Sequence, residues 1–146
     1  MTTRHEAIVQ GLVTALSAHA ATVEREPDKA LVVPAGGLIT VTLGDPDETG
    51  FQLGTGIREW ERVIVLGHVV DADSADARNA AVDAALSQTA MILNGSALGG
   101  LVDYLLLGPP LEPENMPFKG ADSLRGTLVQ VTLFYETSDN PMETQT

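Results

Sequence analysis

The sequence predicts an α+β domain: a mainly antiparallel or mixed β-sheet, two α-helices packed on one of its faces, and an extended β-hairpin or loop. Three observations lead there. Apolar residues recur at helical spacing over residues 4 to 22, an alanine-rich helical stretch follows Asp73, and strand-like runs occupy 38–43, 57–70, 101–108 and 124–137. Helices and strands that come in blocks rather than strict alternation sort into a sheet with helices on one side.

Thr3-Arg4-His5-Glu6 opens the first helix as a capping box, in which the threonine oxygen accepts from the Glu6 backbone. Ile8, Val9, Leu12, Val13, Leu16 and Ala20 then form one buried stripe. "EREPDK", 24–29, breaks that helix, because the residue before Pro27 is pushed towards extended geometry. "LVVP", 31–34, reads as a short strand, and Leu38–Leu43 as a half-buried one with Ile39, Val41 and Leu43 on one face. "GDPDETGFQLGTG", 44–56, joins this strand to the long run that starts at Ile57, most simply as an antiparallel pair with an extended, mobile tip.

Asp73 or Ser74 caps the second helix, Asp76 stands in its first turn, and Gly95 follows its end. "PPLEPENMP" is a proline loop unable to enter a sheet interior. The strand over 124–137 sets Val129, Val131, Leu133 and Tyr135 on one face, and the polar residues 138–146 read as a flexible tail, leaving 1–137 as a single domain. A helix over 4–22 spans about 28 Å, whereas 14 residues of strand span about 46 Å. The two long strands therefore outrun the helices, so either they bend at Gly67 and Gly126 or a second copy of the chain covers the apolar Ile57, Trp60 and Leu124.

Of 146 residues, 44% are hydrophobic and none is cysteine, so the core is aliphatic, and disulfides and thiol chemistry are excluded. Eight Lys and Arg against 20 Asp and Glu give a net charge of −12, the wrong balance for a protein that holds nucleic acid by its phosphates. No apolar run reaches the roughly 18 residues of a membrane span. Glu6, Gln10, Thr14 and Ser17 interrupt the apolar stretch that a signal peptide needs.

Gly54 and Gly56 invite a nucleotide reading and fail it. The third glycine of the motif would fall at Glu59, the glycines precede a strand rather than a helix, and Asp45, Asp47 and Glu48 repel phosphate. Those three acids also lack the ligand order of a calcium loop. They fit a solvated tip, and with Gly54 and Gly56 form a candidate interaction loop. Ile57, Arg58, Trp60, Arg62 and Leu124 form a candidate oligomer or partner surface, although Trp60 is equally suited to covering the sheet edge within the protomer. His68 lies near Asp71, which leaves two readings: a general base for a small intracellular hydrolase or isomerase, or a histidine with one ordinary hydrogen bond. Nothing calls for a cofactor or metal.

The order of features resembles the tail terminator proteins of long-tailed bacteriophages, the minor tail protein U-like family. The resemblance lies in "IVQGLVTAL", "VERE", "PAGGLITVTLGDPDE", "REWERVIVLGHVV", the acid-capped alanine-rich helix and the terminal "LVQVTLFYET". It implies a non-enzymatic α+β protomer that forms a ring of six copies on the head-proximal end of the tail tube. Such a ring stops tube growth and offers the neck, or head-completion, protein a surface, with DNA passing through its lumen unbound. It implies a virion component made in the host cytoplasm, with no membrane partner. A head-side connector or stopper is the nearest alternative. The net charge fits a lumen that does not retain DNA, and the loop at 44–56 is expected to order on docking.

Overall fold

A computed structural model describes residues 2–26, 33–112 and 124–145. A six-stranded sheet runs in the order β2 (Thr22–Arg25), β3 (Leu38–Leu43), β5 (Arg58–Asp71), β7 (Leu124–Thr137), β6 (Tyr104–Leu111), and β4 (Asp47–Phe51) also pairs with β5. All pairings in it are antiparallel except β2 with β3, so the sheet is mixed. Helices α1 (Arg4–Leu16) and α2 (Ala75–Leu93) both lie on one face. The fold class read from the sequence is the one found.

The spine is the ribbon of β5 and β7, paired without interruption from Arg58↔Thr137 to Asp71↔Leu124. β3 and β4 lie end to end along the other edge of β5, bridged by the Gly44 N–H donating to the Val63 carbonyl. The segment expected to be a mobile tip thus contains a five-residue strand. Its side chains carry no apolar alternation, so only the backbone ladder and a register shift at Gly50 reveal it. The turn proper is Gln52 to Ile57, closed by Gln52 N–H to the Ile57 carbonyl at 2.8 Å. Gly54 and Gly56 sit in it at φ of +93° and +76°, where a side chain would strain the backbone.

α1 is capped as expected, with the Thr3 hydroxyl accepting from the Glu6 N–H at 3.2 Å. It stops at Leu16, short of the expected residue 22. Alanine's helix propensity makes Ala18, Ala20 and Ala21 look helical, but the chain turns there so that β2 can pair parallel with β3. His19 is buried in that turn, its Nε2–H donating to the Ala85 carbonyl of α2 while Nδ1 accepts from the Ala21 N–H. Residues 31–32 of the expected "LVVP" strand lie outside the described residues, and 33–34 are not strand.

Ser74 caps α2 by accepting from the Ala77 N–H at 3.1 Å. A short 3-10 turn at Leu98–Gly100 leads into β6, which runs three residues later than expected and takes in Pro109 and Pro110. β6 is an edge strand and slips register between Leu107 and Pro110, so prolines cost it no interior ladder bond. The polar segment after 137 is no free tail: β8 (Thr144–Gln145) pairs with β1 (Thr2–Thr3), and the Arg4 N–H donates to the Glu143 carbonyl. The core joins Ile8, Val9, Leu12 and Leu16 of α1 to Ile39, Val41, Ile64, Leu66, Val131, Leu133 and Tyr135 of the sheet. No helix of the described residues is long and apolar enough to cross a membrane.

Candidate interaction surface

Residues directly opposite across antiparallel strands share a face, so the pairing register maps both sides of the sheet. The inner face, towards the helices, carries Trp60, Arg62, Ile64, Leu66 and His68 of β5 opposite Tyr135, Leu133, Val131, Val129 and Thr127 of β7. At its hairpin end the Trp60 indole N–H donates to Thr137 Oγ1 at 2.9 Å, and the His5 ring meets it edge-on at 4.9 Å. Arg62 donates to the Gly44 carbonyl at 2.8 Å and to the His5 carbonyl at 3.3 Å. His5 Nδ1 and the Tyr135 hydroxyl are 2.7 Å apart, and burial pushes the Tyr135 phenol up to about 12. Trp60 and Arg62 thus serve the protomer's own packing, which is the second of the two readings open for Trp60.

The remaining candidates are spread apart. Asp45 and Asp47 are exposed, Glu48 is on the inner side and pairs with Arg58 at 3.4 Å, and Ile57 is half-buried at the turn. Leu124 opens β7 opposite Asp71, and its side chain falls outside the described atoms. His68 and Asp71 do not meet: three residues apart on one strand, they point to opposite faces. His68 is 1% exposed, and its Nε2 lies 2.7 Å from Thr89 Oγ1. Burial first, and the nearby His19 second, lower its pKa to about 4, so it is neutral at pH 7. An open cleft of about 240 Å³ lies beside His19, lined mostly by Ala and Gly. Among the described residues no three potential ligands gather to hold a metal.

The outer face has no helix on it among the described elements. Its rows start at the hairpin end with Glu59 opposite Glu136. Next comes Asp47, Glu61, Phe134 and Tyr104 across four strands, then Val63, Thr132 and Leu106. The Tyr104 and Phe134 rings stack with centroids 4.4 Å apart. Tyr104, Leu106 and Leu111 are 51%, 55% and 42% exposed, while Leu38 and Val69 at the far end are buried. Beyond the first row, Phe51 at the end of β4 and Leu53 in the hairpin turn stand out in solvent.

Sequence reasoning passed over these residues. "YLLL" looks like a strand buried on both faces, and only its pairing partners show that Tyr104 and Leu106 lie on the uncovered side. The usable signal was parity: Glu59 and Glu61 alternate with Trp60 and Arg62, so the acids had to face away from the aromatic cluster.

No protein-family model matches this chain, and no curated protein matches it either.

Proposed function

We propose that the chain is a structural ring protein of the phage tail terminator kind. It assembles in the host cytoplasm as a ring, with six copies as the working number, and becomes part of the virion. There it caps the head-proximal end of the tail tube, stops elongation and joins the neck protein, while DNA passes through the lumen. The observation that carries this reading is the sheet face with no described helix on it, where three large apolar side chains lie about half exposed. An apolar strip of this kind marks an interaction surface. The order of sequence features described above supplies the class of partner.

A ring built from one chain needs two unlike surfaces that meet head to tail, and a terminator needs a further one for its neighbours. Three surfaces of different character support this: the bare sheet face, the hairpin end with Phe51 and Leu53, and the outward flank of α2, where Met91 is exposed among alanines. Native mass spectrometry and negative-stain imaging with purified tail tubes test the proposal. The expected result is an annulus with a hole near the width of duplex DNA, bound to one tube end and arresting growth. A chain that neither self-associates nor arrests tubes overturns it, and one that binds a portal complex but not tubes replaces it with a head-side connector.

A further inference from the structure

We propose that the hairpin half of the bare sheet face docks a protein unlike this chain: an apolar surface carrying clustered Lys or Arg. The inference goes beyond the ring assignment and holds whether or not copies of the chain close into a ring.

The apolar part of the site is the stacked Tyr104–Phe134 pair with Leu106 in the next row. Charge then selects the occupant. Glu59 stands directly opposite Glu136, and Asp47 opposite Glu61, on the same face and next to the aromatic pair. Like charges at directly paired positions destabilise a sheet, so this arrangement opposes folding of the isolated protomer. Among the described side chains no cation relieves it. The five arginines whose side chains are described bond elsewhere: Arg25 to Glu6, Arg58 to Glu48, and Arg4, Arg62 and Arg78 to backbone carbonyls. Among the described residues the Glu59 carboxylate receives only a neutral donor, the Gln52 amide at 3.0 Å.

A cationic partner answers both features. Lys or Arg placed over the rings is attracted to their negative faces, and the adjoining carboxylates supply counter-charge. A second copy docked face to face would set four carboxylates against four, and DNA would meet the same sign.

The test uses the full chain and a fluorescein-labelled extended peptide of alternating Arg and Val, read by anisotropy at physiological ionic strength. Two variants lose the same formal charge: Glu59→Gln/Glu61→Gln/Glu136→Gln on the face, and Asp73→Asn/Asp76→Asn/Asp83→Asn around α2. The face variant is expected to weaken binding by about tenfold or more and the α2 variant by less than about twofold. The face variant should also melt at a higher temperature than the parent, because the opposed carboxylates no longer repel. Equal weakening by both variants would show only net charge at work, and unchanged binding would place the peptide elsewhere; either result overturns the proposal. A lower melting temperature for the face variant makes the carboxylates structural. Self-association promoted by that variant gives the face to a second copy. Each of these also overturns it.

Discussion

The two faces of the β5–β7 ribbon come from the same two strands, and neighbouring residues divide between them. Arg62, Ile64, Leu66 and His68 point under the helices, whereas Glu61, Val63 and Val65 point away. The covered face is tied up within the protomer: Trp60 bonds the Thr137 hydroxyl, Arg62 bonds nearby backbone, His5 bonds Tyr135, and the aliphatic residues pack against α1. The bare face leaves Tyr104 of the stacked pair half exposed and sets acids against acids. Stability is concentrated on one side, and the other is available for contact with something else.

The largest contrast comes from truncating one leucine on each side. Leu66→Ala, fully buried, should cost about 2–5 kcal/mol in urea unfolding. Leu106→Ala on the bare face should stay within about 0.5 kcal/mol. Equal costs would mean that Leu106 belongs to the core and would end the contrast.

Next in size is the response to acid, which sharpens the contrast through His68. Its folded pKa, near 4, lies below the ordinary value of 6.5, so the unfolded chain binds the proton first. Stability from keeping His68 neutral is complete above pH 6.5 and lost as pH falls towards 4, by about 3 kcal/mol in all. His68→Gln should flatten that part of the stability profile measured between pH 7 and 4.5. An unchanged slope would mean that His68 is not the group responsible.

Two smaller effects should stay local to the helix side. Ser74→Ala removes the α2 cap and should cost about 1 kcal/mol in thermal unfolding. The Arg25–Glu6 pair, at 2.6 Å, holds the Glu6 carboxyl below its usual range, yet both side chains are about one-third exposed. Arg25→Ala should therefore cost under about 1 kcal/mol, and high salt should erase the difference.

Residues whose periodicity serves one dominant surface were readable from the chain alone. β7 falls on its expected bounds, β5 within one residue, and α2 begins at an expected cap. What escaped depends on pairing at a distance. β4 and β8 are held by backbone bonds to β5 and β1 with no apolar signature of their own. β2 hides behind alanines that favour helix, and the prolines of β6 are tolerated only because it lies at an edge. The candidate surface was half visible. Arg58, Trp60 and Arg62 drew attention, but their faces are the covered ones, while Glu59, Glu61, Glu136 and Tyr104 gain meaning only once their cross-strand neighbours are known.

That the bare sheet face is a contact surface can be tested most directly by chemical labelling, since the chain has no cysteine of its own. In Leu106→Cys, the maleimide reaction rate should be high in the isolated protein and, if tail tubes are the partner as proposed, fall by about tenfold or more on mixing with them. Equal rates in the free and bound protein would contradict the assignment of this face to assembly.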